Sequence, residues 1–210
     1  MCPIGALDRG VRAPSLCAAM QTTRYPKTVL LVVDVQRGFD APRWGRRNNP
    51  AMETRVAELL DGWRSTDRPV IHVKHMSTDP ASPLRPDQPG NAFKAEAAPR
   101  PGERVIEKRV NCGFVGTTLE AELRAGGHES LVIAGLTTNH CISTTARVAG
   151  DLGFDTWVVS DATATFDRLG PDGVPYSAEQ IHAISLADLH GEFATVADTE
   201  IVLSVIRSSR

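Results

Sequence analysis

A carboxylate, an amine and a thiol each stand just beyond a short apolar run. Asp34 closes Thr28 to Val33, Lys108 closes Val105-Ile106-Glu107, and Cys141 follows Leu131 to Ala134 across a turn beginning at Gly135. Together these groups can do covalent chemistry. The thiol attacks an electrophilic carbon, the carboxylate takes the thiol proton, and the ammonium holds both anions by charge. Cys141 anchors this reading. Gly135 stops the apolar run, Thr137, Thr138 and Asn139 are helix-capping types, and Ile142 to Ala149 continues as a helix. A thiol in the first turn of such a helix faces unpaired backbone N–H groups and the positive end of the helix dipole, which favour a thiolate. Taken singly, each residue has an ordinary alternative. A free cysteine is a small buried hydrophobe, and an aspartate after a strand is a cap or turn former.

The elements that must position these groups are legible from hydrophobic patterning. Thr28 to Val33 is continuously apolar after its first residue, the mark of a strand buried on both faces of a parallel sheet. Further strands are read at Val70–Val73, Val105–Glu107, Leu131–Ala134, Thr156–Val159 and Phe193–Val196. Between them, Met52, Val56, Leu59, Leu60 and Trp63 recur at helical spacing. Thr117 or Thr118 opens a helix carrying Leu119 and Leu123. Ser177-x-x-Gln180 forms a capping box before Ile181, Ile184, Leu186 and Leu189, and Asp198 caps a last helix through Val205. Strand and helix alternate throughout, which predicts an α/β fold of three layers, a six-stranded parallel sheet with helices on both faces. Parallel strands bring their carboxyl ends to one edge, so Asp34, Lys108 and Cys141 can converge there.

Composition bounds the partners. The chain has 210 residues, 41% hydrophobic and 23% charged, with a net charge of −2. That is ordinary for a globular protein and gives no basic footprint for nucleic acid. No apolar run approaches the roughly 18 residues of a membrane span. Four cysteines (Cys2, Cys17, Cys112, Cys141) form no C-x-x-C pair, so reduced thiols and a cytoplasmic location are expected. Residues 1–27 show no apolar period and carry scattered Pro, Gly and Arg. They read as a flexible tail or an arm onto a neighbouring subunit, with residues 28–210 as the single domain. The stretch from Ser77 to Pro101 holds six prolines and is expected to act as a lid or a subunit contact.

These residues carry a resemblance. Asp34-Val35-Gln36, the lysine of Glu107-Lys108, and Gly135-x-Thr-x-x-x-Cys141 followed by Thr145-Ala146 resemble the cysteine hydrolases of the isochorismatase-like superfamily over Thr28 to the C-terminus. The resemblance implies an Asp-Lys-Cys triad at Asp34, Lys108 and Cys141. It also implies a cis peptide bond between Leu136 and Thr137, which would aim the Thr137 N–H beside that of Cys141 as an oxyanion hole. Metal-dependent nicotinamidases of the superfamily carry an Asp-x-His motif after the second strand. Val73-Lys74-His75-Met76-Ser77 lacks it. His72 and His75, three apart on a strand, would face opposite ways, so no metal and no other cofactor is expected. The run from Phe39 to Pro50, the turn before Cys141, and Ser160 to Phe166 are similar to the streptothricin-hydrolase branch, whose members open a cyclic amide.

The resemblance therefore implies a hydrolase acting on a C–N bond of a small amide, imide or lactam through a thioester. It also implies at least a homodimer. Phe39 and Trp44 after Asp34, Phe114 after Lys108, and Thr165 and Phe166 after the fifth strand are the expected substrate-binding residues, aromatic walls suited to a small cyclic amide. His140 is expected to point away from the site, and His182 and His190 to be structural. Two other readings compete. One is the vinyl-ether hydrolysis of true isochorismatases, which does not need the thiol. The other is an idle member serving as a scaffold or partner, against which the intact Asp34-Lys108-Cys141 set speaks.

Overall fold

The computed structural model describes residues 27–208, so the tail read over residues 1–27 lies, apart from Lys27, outside the described residues. In order, the main elements are β1 (Val29–Val33), α1 (Met52–Arg64), β2 (Val70–His75), β3 (Arg104–Lys108), α2 (Leu119–Ala125), β4 (Ser130–Leu136), α3 (Ser143–Asp151) and β5 (Asp155–Ala164). They continue with a small hairpin of β6 (Arg168–Leu169) and β7 (Pro175–Tyr176), then α4 (Ala178–Leu189), β8 (Thr195–Ala197) and α5 (Thr199–Ser208). Six strands form one parallel sheet in the order β3-β2-β1-β4-β5-β8. Among the described residues no helix is long and apolar enough to cross a membrane.

The parity of β1 explains the three layers. Leu30 and Val32 face α1 and α5, where Val56, Leu59, Leu60, Trp63, Val202 and Ile206 complete one core. Val29, Leu31 and Val33 face the other way, onto Leu119 and Leu123 of α2, Ala146 and Ala149 of α3, and Leu189 of α4. A strand covered on both sides must be apolar at every position, and all five residues of β1 are fully buried. The helix starts follow local chemistry. Ser177 and Gln180 form the reciprocal capping box of α4, and Asp198 Oδ1 accepts the Ile201 N–H at the start of α5.

Chain order reverses direction across the sheet between β1 and β4, the crevice where open α/β sheets place their sites. One residue makes this close pairing possible. Gly135 lies opposite Val33 at φ 125°, and a Cβ there would stand 1.9 Å from the Val33 carbonyl oxygen. Only glycine fits.

Two elements differ from expectation. β5 runs on past Val159 to Ala164, because a register irregularity between Ile133 and Gly135 lets the strand resume its pairing at Thr163 and Ala164. The segment between it and α4, where the patterning marks no strand, contains the β6–β7 hairpin.

Candidate active site

The end of β1 turns sharply into the site. Asp34 is fully buried with φ 55°, a left-handed conformation that Asp tolerates better than most side chains. Its N–H donates to the Val73 carbonyl at 2.8 Å. Two residues on, Gln36 stitches neighbouring segments together. Its amide nitrogen donates to the carbonyls of His75 (3.1 Å) and Asn91 (2.9 Å), and its oxygen accepts the His75 N–H (2.9 Å). Asn91 in turn donates to the carbonyls of His75 and Leu84. Gln36 thereby fixes the end of β2 and the proline-rich loop relative to Asp34.

Lys108 ends β3 and is 1% exposed. Its Nζ lies 2.6 Å from Asp34 Oδ2, 3.2 Å from Cys141 Sγ, 3.0 Å from His75 Nδ1 and 3.2 Å from the Val110 carbonyl. Burial disfavours this ammonium, but Asp34 and Cys141 outweigh it and hold its pKa above the ordinary lysine value. The donor atoms of Asp34, His75 and Cys141 all lie within 4.8 Å of one another, a set that could ligate a metal ion. The space among them contains the Lys108 ammonium, which supplies the positive charge those donors require.

Cys141 sits in a single π-helical turn, Thr138–Ile142, that leads into α3. The peptide bond between Leu136 and Thr137 is cis. Sequence reading expects the helix start to favour a thiolate. The surroundings reverse that. Burial first, and then the Asp34 charge, push the thiol pKa well above its usual value, with Lys108 opposing them. The resting pair is thus a thiol beside a carboxylate, and Asp34 Oδ1 has no hydrogen-bond partner among the described residues. A second layer holds the turn. Thr165 Oγ1 donates to Asn139 Oδ1 at 2.5 Å, Asn48 Oδ1 accepts the Thr165 N–H at 2.7 Å, and Thr138 Oγ1 meets His182 Nδ1 at 2.9 Å.

These groups open onto a cavity of about 540 Å³. Phe39, Trp44 and Phe166 form one wall, with ring centroids 5.4 to 6.2 Å apart, and Thr137 and Cys141 lie at its floor. The other expected substrate-binding residues lie elsewhere. Thr165 is fully buried and braces Asn139. Phe114 stacks on Phe154 at 6.0 Å in the second core, because the chain after Lys108 folds back toward α3, where Gly113 N donates to Thr145 Oγ1. His140 is a further correction. It lines the cavity rim beside Arg168, whose guanidinium lies 3.2 Å from His140 Nδ1, because a π turn places residue 140 at a different angle from an α turn. Cys112 accepts the Phe114 N–H and does not line the cavity.

Sequence reading missed His75 and Asn111. His75 lines the cavity, and Asn111 Oδ1 lies 3.7 Å from Cys141 Sγ. The signal for His75 was register, since a parallel β2–β3 pairing sets His75 opposite Lys108. His72, three residues earlier, bonds Glu103 on the other face. A second groove of about 700 Å³ between α1 and α5 is lined by Asp61, Gly62, Leu203 and Arg207 among others, with no cysteine, histidine or lysine in its lining.

Comparison with known proteins places this arrangement. The isochorismatase domain model matches residues 28–201. The chain is 44% identical over 178 residues to the isochorismatase family protein YrdC of Bacillus subtilis, covering 85% of this chain and 95% of that one. It is 33% identical over 138 residues to a streptothricin hydrolase of Streptomyces noursei, covering 66% and 50%. The crystal structure of an isochorismatase-family protein from Chromobacterium violaceum superposes with a TM-score of 0.85 at 45% identity, covering 87% and 95%. Domain match, relatives and shared fold agree: the chain belongs to the isochorismatase family of hydrolases.

Proposed function

We propose that the protein is a cysteine-dependent amidohydrolase that cleaves a C–N bond in a small amide, imide or lactam. The observation that carries this reading is the Lys108 ammonium held against both Asp34 and Cys141 while Asp34 Oδ1 remains without a partner among the described residues. One carboxylate oxygen is fixed by charge and the other is left to move a proton. The relationship to streptothricin hydrolase supports a cyclic amide as one candidate, and the aromatic wall suits a flat ring.

In this reading Asp34 takes the Cys141 proton as Sγ bonds to the carbonyl carbon. The high thiol pKa makes that transfer concurrent with attack, because a free thiolate is disfavoured at rest. The carbonyl electrons move to oxygen, and the oxyanion is received by the N–H groups of Thr137 and Cys141. Asp34 returns its proton to the leaving nitrogen as the C–N bond breaks, giving an amine and a thioester. Water then attacks the thioester and gives a proton to Asp34. The C–S bond breaks, the acid departs, and Asp34 reprotonates the sulfur. Lys108 stays charged throughout and holds Asp34 Oδ2.

The test is amine or ammonia release from a panel of small amides, imides and lactams, with intact-mass detection of an acyl adduct. Cys141→Ala should abolish turnover and the adduct together, and Cys112→Ala should change neither. Turnover that survives in Cys141→Ala would exclude the covalent route.

A further inference from the structure

His75 stands among the reacting groups and the steps above leave it unused. Its Nδ1 lies 3.0 Å from Lys108 Nζ and 3.9 Å from Asp34 Oδ2. An ammonium carries only donors, so the contact at 3.0 Å requires a lone pair on Nδ1. That fixes the tautomer, since the ring proton must be on Nε2, which no described residue engages. It also fixes the charge, because an imidazolium would set a second cation against Lys108. The backbone holds the ring in place. Gln36 takes both the N–H and the carbonyl of His75, and Asn91 takes the carbonyl as well.

We infer that His75 is a positioning residue of this active site, a neutral imidazole whose Nδ1 lone pair holds the Lys108 ammonium between Asp34 and Cys141, and whose protonation disperses that arrangement. The inference rests on the hydrolase reading for its kinetic part only.

The groups around the ring set the direction with pH. Lys108 from β3 faces it directly, Asp34 from β1 is its anionic neighbour, and Cys141 lies opposite. Across the cavity stand Arg43, Asp79, His140 and Arg168, and Asp167, which is paired with Arg46. On its own strand, Lys74 reaches the Phe93 ring and His72 bonds Glu103. Burial and then Lys108 hold His75 below the usual imidazole value, with Asp34 opposing. The ring is therefore neutral at neutral pH and protonates only on acidification. A protonated ring turns a donor toward Lys108, which then leaves Asp34 and Cys141. The result is an acid limb in kcat/KM below the usual histidine range.

Two measurements test this. The first needs no substrate: long-range nitrogen-proton NMR of the imidazoles, with His75 assigned by comparison with His75→Asn. The expected spectrum at neutral pH is the neutral Nε2–H tautomer. An Nδ1–H tautomer or an imidazolium overturns the proposal whatever the protein hydrolyses. The second is the pH profile of hydrolysis. Asn can set its Oδ1 near the position of Nδ1 and does not titrate. His75→Asn should keep kcat within about 10-fold of wild type and shift the acid limb to lower pH. His75→Ala, which removes the acceptor, should lower kcat by about 10- to 100-fold with a smaller change in KM, the scale of one hydrogen bond to a charged group. An acid limb unmoved in His75→Asn overturns the proposal.

Discussion

Replacing Lys108 with methionine keeps the length of the side chain and removes its charge. In the native site both side chains of the Lys108–Asp34 pair are fully shielded from solvent, and Nζ lies 2.6 Å from Oδ2. Removing one partner of such a pair leaves a buried, uncompensated charge, which costs about 3–5 kcal/mol. For a domain of this size each kcal/mol moves the melting temperature by about 2–4 °C, so Lys108→Met should melt roughly 6–20 °C lower. The cost belongs to the orphaned carboxylate rather than to a lost packing contact, and a second substitution separates the two. Asparagine accepts the left-handed conformation at position 34. The double variant Asp34→Asn, Lys108→Met should therefore recover most of the loss, since replacing a whole buried pair by neutral groups is often neutral or stabilising. Thermal and urea unfolding of wild type, both single variants and the double variant close the cycle. A loss below about 1 kcal/mol in Lys108→Met, or strict additivity of the two single changes, would refute the reasoning.

Asp34→Asn alone should separate reactivity from turnover. Losing the carboxylate removes a cause of the raised Cys141 pKa, so iodoacetamide should alkylate Cys141 faster at pH 8 than in wild type while hydrolysis falls; slower alkylation would contradict the assigned charges. Gly135→Ala places a Cβ 1.9 Å from the Val33 carbonyl at a positive φ, and should destabilise the fold by about 3 kcal/mol or more, read by urea unfolding. Glu103 is bound by Arg64, His72 and the Arg100 N–H, which overcome its partial burial and hold its carboxyl down at about 2. A depressed carboxylate contributes stability above its unfolded pKa and loses it as pH falls toward the folded value. Glu103→Gln should therefore be less stable than wild type at pH 7, with the gap narrowing between about pH 4.5 and 2.

The sheet and its order of elements were readable because β1 and β4 are apolar without a break and the helices between are amphipathic. Asp34, Lys108 and Cys141 were readable because each stands where a parallel strand ends. What the sequence hid was the consequence of register and turn geometry. His75 ends the strand beside that of Asp34, and only its register, which pairs it with Lys108, brings it to the site. His140 follows the pitch of a π turn, which no composition announces. Phe114 has the right chemistry and lies near Lys108 in sequence, but the link from Gly113 to Thr145 draws that segment onto the second core. The charge state of Cys141 was hidden for a similar reason. The helix start is local, whereas the burial that outweighs it comes from the whole fold and the carboxylate that adds to it arrives from more than a hundred positions earlier.

β3 is an outer strand of the sheet, joined by its backbone to β2 alone, yet its last side chain passes that neighbour and bonds to the end of the central strand. The lysine is thus a rivet through three strands as well as a member of the proposed site. Peeling β3 away would have to carry a buried ammonium into the open, so the outermost strand is fastened by the same contact on which the proposed mechanism draws. A descendant without the proposed chemistry would still have to refasten its border before it could discard the lysine. Substitution at position 108 is therefore opposed by folding itself, whatever the site does.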